Sequence, residues 1–467
     1  MATTAVETKE AQATTPHAGA QIPLQSFQLP EFPPEASQLQ ALTLTYDLKP
    51  EDYSKLLSEP LPSDAIHPSL PSGIETLTLE LFSLGYPAPF LTQLGKKLSN
   101  LKSLTVYSQL IDGATDSTRK DAGEFFNDIL TRGNGRRGLR ELHLLDVFSR
   151  PGFMSGLGGI LEDLDRSKDK KASLRFLEIS YTYRGHSDSD FLTHIPGDEL
   201  PTMLVPSLVA ACFRLTAPPI LDAASTAGLP DDPADVDEEG NLIPGKKPEG
   251  IIPLQPSSPG TKVLFRKLTG ETTSAENKSS ETESEKEGAD EEEEQNHPPG
   301  SGPGPTGLKM LDSTLYTLDT EQLGKIMNVQ KDISILSVSL IADASETWKT
   351  QLIDALRGGE GGTKGKELEI VEIVGVPSEK FKVEVSSSSS STSTNTSLLK
   401  NIFPSSEDMA VLSSHCPELE SFRMTILRAP SLGAVEWNRL PSSSSSTSHD
   451  AGEWTGGIVR GSEEGKS

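Results

Sequence analysis

Four short stretches decide how this chain reads: IETLTL at residues 74–79, LKSLTV at 101–106, LRELHL at 139–144 and LRFLEI at 174–179. Each sets an aliphatic residue, two variable ones, an aliphatic, one variable and an aliphatic: Ile74/Leu77/Leu79, Leu101/Leu104/Val106, Leu139/Leu142/Leu144 and Leu174/Leu177/Ile179. The closing positions alternate, which is the period of a strand with one buried face. Working outward, the pattern stands upstream at Leu39/Leu42/Leu44. Downstream it recurs at Ile333/Leu336/Val338, Leu368/Val371/Ile373 and Leu419/Phe422/Met424, with LKMLDS from Leu308 a degenerate copy. Starts at 39, 74, 101, 139 and 174 are 35, 27, 38 and 35 residues apart, room for one strand and one helix per unit.

The stretches between the motifs carry apolar residues at helical spacing. Phe90-Leu91, Leu94 and Leu98 fall on one helical face, as do Phe125-Phe126, Ile129 and Leu130, and Met154, Leu157, Ile160-Leu161 and Leu164. Leu323, Ile326 and Met327 repeat the spacing, then Trp348, Leu352-Ile353 and Leu356. One such unit cannot bury its own apolar face, but stacked copies can. The expected fold is therefore α/β: an irregular repeat solenoid with parallel strands on a concave face and helices outside.

Composition divides the 467 residues. Only 34% are hydrophobic and 5% aromatic, too little apolar surface to order the whole chain. The expected organisation is a disordered tail at 1–36, a first solenoid half at 37–217 and a disordered acidic insertion at 218–306. A second half at 307–440 follows, with a Ser-rich loop at 386–397, then a disordered tail at 441–467. Within the insertion, TKVLFRKL at Thr261–Leu268 alternates apolar and basic residues and suits a strand or an ordered peptide segment. Acids outnumber bases 68 to 42, a formal charge of −26, which opposes nucleic acid and anionic membrane and suits a basic protein partner. Two distant cysteines, Cys212 and Cys416, make no disulfide framework and fit a reducing compartment, cytoplasmic or nuclear. Residues 1–21 lack the basic flank and apolar stretch of a signal peptide, and no window reaches the length of a membrane span. A soluble monomer is the expectation.

At His415–Met424 the chain reads HCPELESFRM after the helix-like Glu407–Ser414, and SNLKSLTV at Ser99–Val106 has the same form with Asn in place of Cys-Pro. These segments resemble the Cys-Pro-x-Leu-x-x-Leu-x-Leu unit of the leucine-rich repeats in F-box proteins, in the divergent form abundant in filamentous fungi. The resemblance spans most of Leu39–Leu440 outside the insertion and implies a protein-binding repeat fold, and with it a substrate receptor of a ubiquitin ligase. The sequence departs from that family in two places. LPEFPPEASQ at Leu29–Gln38 opens like an F-box but lacks a helix-length apolar pattern, and Asp47, Phe82, Gln109, Val147 and Thr182 stand where regular repeats ladder asparagine.

Chemistry finds no local signature. GGEGGTKGK at Gly358–Lys366 lacks the phosphate-loop spacing and joins helix to strand rather than strand to helix. Gly133–Gly138, with Arg136 and Arg137, reads as a solvated turn that could hold an acidic partner. His415 and Cys416 are sequence neighbours that would not face each other on a helix, so they read as a packed repeat joint. No cofactor or metal motif occurs. The informative positions are the outward residues of the strands, which a solenoid presents as one continuous surface: Thr78, Glu80, Thr105, Tyr107, His143, Leu145, Glu178 and Ser180. Tyr107 and His143 fall on neighbouring strands, and tyrosine is favoured at binding hot spots. Ser280, Thr282 and Ser284 each precede a Glu by three residues, a pattern for acidophilic kinases. The primary reading is a non-enzymatic protein-binding scaffold. Its rivals are the F-box-like receptor, an enzyme whose site is assembled from distant residues, and an acidic recruiter of basic proteins mounted on the repeats.

Overall fold

The computed structural model describes residues 19–24, 27, 29, 31–46, 49, 51–52, 55, 57, 69–80, 84–107, 109–132, 138–167, 172–182, 195–216, 254–271, 302–343, 345–358, 367–378, 381, 399–427, 432–440 and 453–459. Among these, thirteen strands form one open sheet whose spatial order is the chain order. They are β1 Gly19–Leu24, β2 Ala41–Tyr46, β3 Thr76–Leu79, β4 Ser103–Tyr107, β5 Glu141–Leu145, β6 Phe176–Thr182, β7 Ala210–Thr216, β8 Met310–Leu318, β9 Ile335–Ala342, β10 Ile370–Pro377, β11 Ser421–Ile426, β12 Ala434–Arg439 and β13 Trp454–Val459. From β1 to β11 every pairing is parallel. The helices between them are α1 Phe90–Lys97, α2 Asp116–Thr131, α3 Phe153–Arg166, α4 Pro259–Thr269, α5 Thr320–Val329, α6 Trp348–Leu356 and α7 Ser406–Ser413. Each packs on the next in chain order, with the 3-10 turn Leu200–Met203 standing between α3 and α4, so the helices make one continuous layer. This is an irregular solenoid of strand–helix repeats with an open, mostly parallel sheet.

The aliphatic triplets set the register. Leu42, Leu77, Leu104, Leu142, Leu177, Ala211, Leu311, Leu336, Val371 and Phe422 pair in turn across ten strands, and all are buried. Each residue covers the one below it, so no single rung could be stable alone. The helices start where the sequence supplies caps. Thr115 with Thr118, Asp319 with Gln322 and Ser405 with Asp408 form reciprocal capping boxes at α2, α5 and α7.

Three expectations change. Residues 1–36 do not read wholly as a tail: β1 pairs with β2, and Phe27, Leu29 and Phe32 are buried. At the other end the parallel order stops at β11. β12, within the stretch read as the second solenoid half, returns antiparallel, and β13, inside the stretch read as a C-terminal tail, pairs antiparallel to it. Trp437 donates from Nε1 to the Pro404 carbonyl at 3.0 Å, and Trp454 donates to Ser413 Oγ at 2.7 Å, so the hairpin is pinned against the last repeat.

The third change is the largest. Within residues 218–306, Thr261–Leu268, read as a strand or an ordered peptide segment, is the body of α4. Ser258 Oγ accepts from Thr261 N, Pro259 occupies the first turn, and Gly270 closes the helix at φ 71°. Leu264 and Leu268, four apart, are fully buried. α4 therefore occupies the helical place of the β7–β8 repeat, between the Leu200–Met203 turn and α5. Lys267 Nζ, itself fully buried, meets Glu162 Oε1 of α3 at 2.5 Å. Leu254 bridges Tyr316 in a three-residue bulge of β8, its N–H donating to Leu315 O at 2.8 Å and its carbonyl accepting from Thr317 N at 2.7 Å. Residues 218–253 and 272–301 of the expected insertion, with the serines and threonine at 280, 282 and 284, lie outside the described residues, as do both Ser tracts and the loops at 133–137 and 359–366.

Candidate protein-binding surface

Because the helices share one side of the sheet, the alternate strand positions face the other. One row on this open face is fixed by register: Thr43, Thr78, Thr105, His143, Glu178, Cys212 and Asp312, continuing to Ser337, Glu372 and Arg423. A second row holds Tyr107, Leu145, Ser180 and Arg214. Of the residues expected on this surface, Thr78, Thr105, His143 and Glu178 share the first row, while Tyr107, Leu145 and Ser180 share the second. Glu80 stands one residue beyond β3, where its N–H still bonds Leu44 O at 2.9 Å. All eight are at least partly exposed, and Tyr107 is the most open at 37%.

Charge on this face is paired across strands rather than spread. His143 donates from Nδ1 to Glu178 Oε2 at 2.7 Å, with its ring centroid 5.0 Å from that of Phe176. That hydrogen bond outweighs partial burial and holds the Glu178 carboxyl below its ordinary range. Two strands along, Arg214 donates from Nε to Asp312 Oδ2 at 2.6 Å. The other Asp312 oxygen accepts from Thr314 N and Thr314 Oγ1, at 3.1 and 2.9 Å. Cys212 sits between the two pairs, fully buried. Burial, reinforced by Asp312, pushes its thiol up to about 12. A thiol held protonated is a poor nucleophile, and register sets it two strands from His143, so the three groups do not compose a nucleophile and base. No group of His, Cys, Asp and Glu able to hold a metal ion occurs among the described residues.

Exposure divides the face. On β3 to β6 its residues stay partly open, whereas on β7 to β9 several sink, Arg214 staying partly open: Cys212, Asp312, Thr317 and Ser339 are each 2% exposed or less. Arg214, Asp312 and Phe176 were not among the residues expected here. A signal for β7 existed, since Leu208/Ala211/Phe213 continues the triplet 34 residues after Leu174, with alanine and phenylalanine as its second and third members. His415, read as a packed joint, reaches Arg357 Nη2 from Nε2 at 2.6 Å, beside the buried Cys416.

No protein-family model and no curated protein sequence matches this chain. Among solved structures it is similar to the leucine-rich-repeat-containing protein LegL7 from Legionella pneumophila. Identity there is 12% over 88% of this chain and 91% of that one, with a TM-score of 0.30. It is also similar to the yeast Rad7 and Elc1 complex, at 13% identity over 83% of this chain and 77% of the matched chain, with a TM-score of 0.27. The repeat architecture rests on the register of the sheet itself. No helix among the described residues is long and apolar enough to cross a membrane.

Proposed function

We propose that this chain is a non-enzymatic protein-interaction scaffold that binds its partner on the open face of β3 to β6. The observation that carries the reading is the pair of in-register rows running from Thr78 to Glu178 and from Tyr107 to Ser180, left uncovered by the helical layer and partly open to solvent. A surface fixed by a packed sheet loses little entropy on binding, and its centre supplies what hot spots use, an aromatic residue beside paired charges. Tyr107 is the anchor, His143 and Glu178 the polar contacts, and Thr78 and Thr105 the flat ground between. The formal charge of −26 favours a basic partner.

The test is affinity purification from cells with the full chain against Thr105→Arg and Tyr107→Ala, each first shown to melt like the parent. Truncating a central anchor is expected to weaken the specific partner about tenfold or more, near 1.4 kcal/mol. Recovery of the same partners at the same yield by both variants would move the function off this face.

A further inference from the structure

The edge of the sheet at which strands begin changes sign along the solenoid, and the acidic stretch of the chain leaves and returns beside the change. The ladder extends one residue ahead of each strand, so Lys102, Arg140, Arg175, Val209, Lys309, Ser334, Glu369 and Glu420 hold equivalent positions from β4 to β11. Arg140, Arg175 and Lys309 are exposed there. Among the described residues the Arg175 guanidinium donates to the Ser207 carbonyl, at 3.1 Å, and Lys309 meets no carboxylate. Beyond β9 the same edge is acidic, with Glu367, Glu369, Glu418 and Glu420 exposed.

The stretch 272–301 holds ten acids and two lysines, 2 − 10 = −8. Its two ends are held together: Gln330 donates from Nε2 to Leu268 O at 2.9 Å and to Pro305 O at 2.6 Å, and Gly302 N donates to Glu162 Oε1 at 3.2 Å. Both ends thus lie at the β8 repeat, between the basic and the acidic lengths of edge. We propose that residues 272–301 dock on the basic edge formed by Arg140, Arg175 and Lys309. Strand spacing puts Arg140 about 15 Å from Lys309. Some fifteen residues running out from either end reach about 50 Å, so the span is covered. Tethering gives the acids an effective concentration in the millimolar range at cations that would each bind a free acid weakly. Repulsion from Glu369 and Glu420 sets the direction. The docked stretch consumes its own charge, so an external basic protein would have to compete with this edge for it.

Carbodiimide, which joins carboxylates to amines in contact, tests this on the full chain mixed from light and nitrogen-15 copies, with mass-spectrometric readout. Expected are links from Glu281–Glu294 to Lys309 within one copy. They should fall about fivefold when salt rises from about 50 mM to about 500 mM, as screening shortens the reach of the charges. They should fall likewise in R140E/R175E, and in R140Q/R175Q should the reversal unfold the protein. Absence of these links, links indifferent to salt and to both variants, or links chiefly between light and heavy copies would each overturn the proposal, the last by making a second copy the occupant.

Discussion

The solenoid contains two kinds of repeat. Between β3 and β6 each unit is compact: a triplet, a short turn, an amphipathic helix and the next triplet, closing in 27 to 38 residues. Between β7 and β8 the same geometric unit draws on a far longer piece of chain, taking α4 from 259–269 and a bridging residue from 254 before β8 begins at 310. Both bury a core leucine: Leu157 of α3 is 2% exposed and Leu264 of α4 is 0%. The difference teaches that a repeat is defined by the volume it fills between its neighbours. Chain length between strands can vary widely, because enlarging a loop costs entropy only logarithmically.

Predictions that could break or sharpen this contrast run from large to small. Lys267→Met is expected to lower stability by about 3 kcal/mol, read as the midpoint of urea unfolding, because buried Glu162 then keeps only the half-exposed Arg166, at 3.4 Å, as its cation. Pairing it with Glu162→Leu should recover most of the loss. A midpoint unmoved by Lys267→Met would make α4 an ornament rather than a member of the stack.

Leu264→Ala and Leu157→Ala, one in each kind of repeat, are each expected to cost about 2–5 kcal/mol. A cost confined to Leu157→Ala, measured by the same unfolding curves, would show that the long repeat opens independently of the short ones.

Tyr316→Phe and Tyr181→Phe make a smaller matched pair. Tyr316 donates to Gly197 O at 2.6 Å in the long repeat, and Tyr181 donates to Val147 O at 2.8 Å in a short one, both rings fully buried. Each loss should cost about 1–3 kcal/mol by leaving a buried carbonyl unpaired, measured by thermal melting at matched conditions.

The smallest effect is a pH dependence of the short repeats. Glu178 ionises more readily folded than unfolded, the His143 hydrogen bond being the main cause. Between its lowered folded pKa and the ordinary 4.5 the unfolded chain therefore holds more protons, so stability rises with pH across that window. The contribution is present above 4.5 and is lost as pH falls through the folded value. His143→Gln should flatten that part of the stability profile, and an unchanged acid limb would show that the pair adds nothing.

The short repeats were legible because each triplet states its own burial. Leu77, Leu104, Leu142 and Leu177 lie where the period places them, and Thr78, Thr105, His143 and Glu178 follow onto the opposite face by alternation. The long repeat was less legible for two reasons. Ala211 and Phe213 replace the aliphatic pair, and the alternation of TKVLFRKL imitates a strand while its Ser-Pro opening and Leu264/Leu268 spacing specify a helix. The Arg214–Asp312 pair could not be read at all, since its partners stand 98 residues apart and meet only because β7 and β8 are neighbours. The terminal strands β1 and β13 carry no triplet, and their pairing is supplied by the edges they meet.

The sequence by itself determined the strand motif, the face each residue takes and the strand-helix alternation, because these follow from side-chain periods over a few residues. Only the tertiary structure decided that α4 fills the gap between two triplets, that Lys267 finds Glu162 across 105 positions and that β12 turns back on β11. Those outcomes depend on which distant surface offers a vacancy of the right shape and charge, and no local period encodes that.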